Sequence, residues 1–216
     1  EQVREFLENG YWWMNRCLNS NIRPGKSIDF GFDVKGYFNP LINQFAKFYN
    51  ADDIEPIEFY GNCYNGNADL YTTMSYLPHV DTFPGADEGI NPLNDYAFNL
   101  NVTKSDKVKT AFYSFNGKKS VCDWTPDDYD DHDRIRDRHK KIKAKNWRLL
   151  SSENFQNYQL EYVANIEYNS LILYPSHYWH SVYIKEDWFT DTDRVTFTGF
   201  FETKTTSSKT KKLGFG

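Results

Sequence analysis

The stretch Leu77-Pro78-His79-Val80-Asp81 and its distant answer, Tyr174-Pro175-Ser176-His177-Tyr178-Trp179-His180-Ser181, decide how this chain is read. The first places an imidazole and a carboxylate two residues apart, so both leave an extended backbone on one side. The second closes the apolar run Ser170-Leu-Ile-Leu-Tyr174 at a proline and opens another, Ser181-Val-Tyr-Ile184, at His180. A turn between two strands thus delivers a second imidazole to a strand end. Two imidazoles and one carboxylate can cover one face of an octahedral ion and leave the opposite face open.

Outward from these two stretches, the period of the chain is two. Alternation and β-branched or aromatic content predict strands over Leu70–Leu77, Tyr96–Val102, Lys109–Phe115, Gln159–Ile166, Ser170–Tyr174, Ser181–Ile184 and Arg194–Glu202. Short strands separated by Pro, Gly and Asn turns indicate a sandwich or barrel. The fold class is therefore mainly β with flanking helices. A sandwich open at one mouth would bring residue 80 close to residue 180.

The rest of the chain reads differently. Residues 1–68 form a helical and irregular N-terminal support. Within it, Asn39 caps a helix whose first turn holds Pro40 and whose apolar face is Leu41, Ile42, Phe45 and Phe48. Gly61-Asn-Cys-Tyr-Asn-Gly66-Asn is turn-rich. Residues 69–202 form the core, interrupted at 123–148 by an acidic run, Asp127 to Asp133, that passes into a basic one, Arg134 to Arg148. That insertion reads as a solvated helix or a mobile arm at the mouth. Residues 203–216 read as a flexible tail, and the whole as one domain of 216 residues.

Composition narrows the function classes. Aromatic residues reach 18% while the mean hydropathy is -0.75, so the core is built from Phe, Tyr and Trp. A net charge of -5 argues against a general nucleic-acid binder. No long apolar run suggests a membrane span. The three cysteines, Cys17, Cys63 and Cys122, have no C-x-x-C spacing, which makes a reducing compartment, the cytoplasm, the default.

Each candidate site residue has a plainer explanation beside it. His-x-Asp occurs by chance, and Asp81-Thr-Phe-Pro-Gly85 alone reads as an Asx-type turn. The joint pattern with His180 favours a metal. His177 is three residues before His180 and competes with it, but the strand that starts directly after His180 favours His180. Arg194 opens the last core strand with Thr196 on the same face. An arginine in an aromatic strand is expensive to bury unless an anion pairs with it. The far carboxylate of a diacid co-substrate such as 2-oxoglutarate would serve, and a salt bridge to Asp191 or Asp193 is the competing explanation. His132 and His139, in the charged insertion, read as solvated. Trp179 and Trp188 read as packing residues or as walls of a substrate pocket.

The pattern His79-x-Asp81, His180, Arg194-x-Thr196 resembles the Fe(II)/2-oxoglutarate-dependent dioxygenases, whose core is a double-stranded β-helix of the jelly-roll, cupin-like type. Within them it looks closest to the prolyl-hydroxylase-like branch, particularly a bacterial and phage subfamily. That closer likeness rests on Leu77-Pro-His79-Val-Asp81, Lys109-Thr-Ala-Phe-Tyr-Ser-Phe115 and Leu171-Ile-Leu-Tyr-Pro with His180-Ser, and it covers about residues 70–201. Val108-Lys109 stands where relatives often carry Gly-Gly. The resemblance implies Fe(II) ligands at His79, Asp81 and His180, which would be the catalytic centre, and a 2-oxoglutarate carboxylate on Arg194 assisted by Thr196. It implies roles in orienting 2-oxoglutarate for Tyr71, Tyr76 and Asn99, beside which core packing is the commoner role of a strand tyrosine. It further implies O2 as co-substrate and hydroxylation of a small-molecule or peptide substrate, since Asp81 fills the position a halide would need. A non-catalytic jelly-roll module and a nucleic-acid-directed oxygenase using the basic insertion are the alternatives.

Overall fold

Alternating side chains need a core on at least one face, and this chain satisfies that need with two antiparallel sheets. The computed structural model describes residues 13–14, 26–29, 34–64, 76–81, 95–142, 157–185, 188–189 and 191–204. Among these, one sheet has six strands: β1 (Trp13–Met14), β2 (Lys26–Asp29), β3 (Asp53–Tyr64), β9 (Arg194–Lys204), β4 (Asp95–Asn101) and β7 (Leu171–Pro175), in that order. The other has three: β6 (Tyr158–Asn165), β5 (Lys109–Phe115) and β8 (His180–Val182). The chain passes from β4 in the large sheet to β5 and β6 in the small one. It returns for β7, crosses again for β8, and ends on β9. This repeated crossing is the jelly-roll winding, and it closes the two sheets face to face around an interior.

Period two sorts the side chains. In β9 and β4, Val195, Phe197, Phe201 and Phe98 point outward to the helix α1 (Val34–Tyr49). Phe45 of α1 stacks on Phe201 at 5.1 Å and meets Phe98 at 5.6 Å. Arg194, Thr196, Thr198 and Asn99 take the opposite, interior face. In the small sheet, Ala111, Tyr113 and Phe115 join Tyr158, Trp179 and Ile135 in a second aromatic cluster. Phe112 takes the other face, towards Tyr174 of β7.

Several expectations need correction. The expected support at 1–68 contributes β2 and the twelve-residue β3, which pairs along its length with β9. Pro56 hid this strand, because it cannot donate to a ladder; a register shift between Pro56 and Glu58 accommodates it. The turn-rich Gly61–Tyr64 is the end of that strand. The helix α1 starts at Val34, with Pro40 inside it rather than in its first turn. Burial of Leu41, Ile42, Phe45 and Tyr49 outweighs the hydrogen bond that the proline removes. The predicted strand Leu70–Leu77 falls mostly outside the described residues, and its last two, Tyr76 and Leu77, are not strand. Thr203, placed in the tail, is buried and belongs to β9.

The charged insertion is a docked helix, not a fully solvated one. An Asn116-Gly117 pair, both with positive φ (50° and 77°), turns the chain after β5, as a two-residue hairpin of this handedness requires. A short turn at Val121–Asp123 then leads to α2 (Pro126–His139). Thr125 and Asp128 form a capping box, and Asp128 also accepts from Asn116 at 2.8 Å and pairs with Lys118. Burial alone would raise the Asp128 carboxyl; the bonds from Lys118, Thr125 and Asn116 hold it well below the usual carboxylate range. Asp128, His132, Ile135 and His139 make one buried stripe. His132 and His139 are thus buried rather than solvated, and His132 lies between Trp124, Phe115 and Trp179. Burial, with Arg136 beside it, pushes the His132 pKa down to about 4.

Candidate metal centre

The site is assembled by backbone pairing before any side chain is considered. His79 and His180 form an isolated antiparallel bridge, exchanging N–H···O bonds of 2.8 and 2.9 Å. Residues paired in this way carry their side chains on the same face. The two rings accordingly meet with centroids 4.5 Å apart. The Asp81 amide donates to the Ser176 carbonyl at 2.8 Å, which ties the strand-end carboxylate to the loop that leads into β8. The far side of that loop is also pinned: Val121 donates to the His177 carbonyl at 3.2 Å and Trp179 to the Lys119 carbonyl at 3.3 Å.

Three donor side chains converge. His79 Nε2 lies 3.8 Å from Asp81 Oδ1, and His180 Nε2 lies 3.3 Å from Asp81 Oδ2. One ligand atom from each residue falls within 4.8 Å of the others. The side chains of Asp81 and His180 are 5% and 6% exposed and that of His79 39%, so the group opens to solvent on the His79 side. His180 Nδ1 lies 2.9 Å from the Tyr178 carbonyl, which can only accept. Nδ1 therefore donates to that carbonyl, and Nε2 is left facing Asp81 Oδ2. A backbone bond of this kind orients histidine ligands, so Nε2 would be the atom offered to a metal. The donor set fits one first-row divalent ion.

The other expected residues are placed as follows. His177 is buried against Tyr178, and its carbonyl rather than its ring serves the site; it does not join the three donors. Arg194 and Thr196 are buried on the interior face, with the guanidinium donating to the Thr196 hydroxyl at 3.4 Å. Register sets Arg194 well along the sheet. Tyr174 pairs through Ala97 with Phe200, and Arg194 is six residues further along β9, roughly 20 Å of strand. Asn99 is interior, between Ile172 and Thr198, and among the described residues its buried Oδ1 has no hydrogen-bond partner. Tyr76 is wholly buried in the second aromatic cluster, and Tyr71 lies outside the described residues. Trp179 is core, stacked at 4.7 Å on Trp124. Trp188 packs at the edge of that cluster, near Lys109.

No family model matches the chain, and no curated protein matches it. Solved structures do. The non-haem α-ketoglutarate-dependent epimerase SnoN of nogalamycin biosynthesis superposes with a TM-score of 0.51 at 10% identity, over 94% of this chain and 71% of that one. HygX from Streptomyces hygroscopicus, with nickel and 2-oxoglutarate bound, gives 0.52 at 10% identity over 94% and 77%. The fold is shared with 2-oxoglutarate-dependent non-haem enzymes. A further HygX structure, with hygromycin B also bound, matches at 0.52 and 11% identity. At such identities the likeness is one of fold.

Two residues beside the donors were not anticipated. Tyr174 brings its hydroxyl to 3.3 Å from His180 Nε2, and Phe112 packs on both rings. Their signal was present in the alternation: Leu171 and Leu173 belong to the outer cluster, so Ile172 and Tyr174 must face inward.

Proposed function

We propose that this chain is an Fe(II)- and 2-oxoglutarate-dependent oxygenase that hydroxylates a small-molecule or peptide substrate. The observation that carries this is the convergence of His79, Asp81 and His180, with His180 Nε2 3.3 Å from Asp81 Oδ2 and Nδ1 held by the Tyr178 carbonyl. An iron ion held by these three would supply dioxygen activation, coupled to decarboxylation of 2-oxoglutarate to succinate and carbon dioxide. The protein's own part is to orient and to exclude water. Arg194, buried and aided by Thr196, would take the far carboxylate. The Asn99 amide, turned over, would offer an N–H to the same anion. Because Arg194 lies deep along β9, the co-substrate would lie lengthwise between the sheets, with the open His79 side left to the primary substrate. The prolyl-hydroxylase-like branch is the finer reading of the sequence motifs. Among the described residues no helix is long and apolar enough to cross a membrane, and Cys122 is a free thiol, which suits the cytoplasm.

The test is anaerobic loading with Fe(II) followed by measurement of succinate formed from 2-oxoglutarate in air. Succinate release that disappears in Asp81→Ala supports the proposal. Arg194→Ala should raise the apparent KM for 2-oxoglutarate, and lysine should rescue poorly for want of the planar fork. Metal-independent succinate release overturns it, and so does absent release in a protein that holds iron, the second outcome favouring a non-catalytic module.

A further inference from the structure

The small sheet carries a row of rings whose outer end the proposed chemistry does not use. Tyr162 of β6 is in register with Phe112 of β5, Phe112 with His180 of β8, and His180 with His79. Residues directly opposite one another in antiparallel strands share a face. Tyr162, Phe112, His180 and His79 therefore form a line across the interior face, with candidate metal ligands at one end. Tyr162, at the other end, is 64% exposed, and among the described residues β6 is the edge of its sheet. Neighbouring strands run about 4.8 Å apart, so β6 lies roughly 10 Å from β8.

A bulge brings a carboxylate to the same place. Phe112 opposes Tyr162, but Tyr113 opposes Leu160, so Glu161 is the extra residue of β6. Strict alternation would send Glu161 to the face opposite Tyr162. Instead its Oε1 accepts from the Ser114 hydroxyl at 2.7 Å, and Ser114 shares the face of Phe112, two residues before it. The bulge thus sets Glu161 and Tyr162 side by side on the interior face, both exposed. Among the described residues Glu161 accepts from Ser114 and pairs with no cation. Edge strands are commonly guarded by a bulge and a charge. That accounts for Glu161, but not for a phenol ring left open beside it.

We propose that Glu161 and Tyr162 form a subsite for a positively charged group of the primary substrate, an ammonium or a guanidinium. The carboxylate gives such a group a charged hydrogen-bond acceptor, and the phenol face attracts it through the ring quadrupole. Phe112 is the apolar wall between this subsite and His180. The pair would select cationic molecules for the centre at His79, Asp81 and His180. The identity of that centre rests on the oxygenase reading above; binding at the subsite does not.

The probes are N-acetyl-arginine methylamide and N-acetyl-lysine methylamide, each beside a neutral match of similar shape, the citrulline and norleucine analogues. NMR titration into the whole chain without metal should show at least one charged probe binding about threefold or more tightly than its match. Glu161→Gln keeps an acceptor for Ser114 and removes the charge, so it should abolish that preference. Tyr162→Leu should weaken the charged probe roughly two- to fivefold. A thermal melt checks that each variant keeps the fold. Failure of both charged probes to bind, equal binding of charged and neutral probes, a preference that survives Glu161→Gln, or an unchanged affinity in Tyr162→Leu overturns the proposal. Mn(II), whose unpaired electrons broaden nearby resonances, should then broaden the bound charged probe in the parent protein, and Mg(II) should not. If calorimetry shows Mn(II) bound while the bound probe stays sharp, the subsite does not serve this centre and the proposal falls. If the parent takes up no Mn(II), the oxygenase reading falls alone, and the metal-free titrations still decide the subsite.

Discussion

The two faces of this sandwich are both covered by a helix over an aromatic cluster, yet they are built from different chemistry. Under α1 the cluster is phenyl and phenol rings, without an imidazole or carboxylate among the packed residues described: Phe45 and Tyr49 of the helix meet Tyr96, Phe98 and Phe201. Under α2 the cluster of Trp124, Trp179, Phe115 and Tyr158 also encloses His132, and the helix is anchored through Asp128 to Lys118 and Asn116. The second cluster is also the one attached to the candidate metal ligands. Trp179 sits in it, and the next residue, His180, points to the opposite face because a strand alternates. The α1 side thus supplies stability, whereas the α2 side supplies stability and aims a donor.

The sharpest way to break this comparison is to truncate one aromatic on each side. Trp179→Ala and Phe201→Ala should each lower the unfolding free energy by about 3–5 kcal/mol. Only Trp179→Ala should also weaken Mn(II) binding in the protein that remains folded, as read by calorimetry below the unfolding transition. Equal metal affinity in the two variants would show that the α2 cluster does not aim His180.

Acid should separate the faces next. His132 has a pKa near 4 in the folded protein against an ordinary value of 6.5, so the folded state binds its proton less readily. Its contribution is therefore complete above about pH 6.5 and is lost as the pH falls towards 4, a change on the order of 3 kcal/mol. His132→Phe should flatten this limb of the stability curve, and no substitution under α1 should. A denaturant series between pH 7 and 4 measures both; an unchanged slope in His132→Phe would remove the assignment.

A smaller effect is expected at the helix cap. Thr125→Ala removes the hydroxyl that bonds Asp128 at 2.7 Å and should destabilise by about 1 kcal/mol. The smallest belongs to Arg134, which bonds Asp131 at 2.5 Å but is 77% exposed; Arg134→Ala should shift stability by less than about 0.5 kcal/mol. A larger loss at Arg134 than at Thr125 would mean that the charged surface of α2, not its buried stripe, holds it in place.

Much of this was legible in the chain itself. Strands from Asp95 onward appear within a residue or two of where alternation sets them, because period two is a local property. The three side chains that the structure groups together, His79, Asp81 and His180, were legible as candidates too, since few side-chain types ligate metals and these stood at strand ends. The role of Trp179 was not, nor was the interior position of Tyr174, because each depends on which face of its strand meets the core.

What the sequence by itself determined was the mainly β class, the candidate donors His79, Asp81 and His180, and an arginine and threonine sharing one face of the last strand. What only the tertiary structure decided was everything that depends on pairing across distance. β3 was concealed by Pro56 and a run of turn formers, and became a strand because β2 and β9 hold its two edges. The stripe Asp128, His132, Ile135 and His139 looked solvated, because hydropathy treats histidine and aspartate as charged. Burial makes one of them neutral, and three neighbours satisfy the other. That His180 rather than His177 lies beside His79 and Asp81 follows from the reciprocal backbone bonds to His79, contacts between residues about a hundred positions apart that no local pattern encodes.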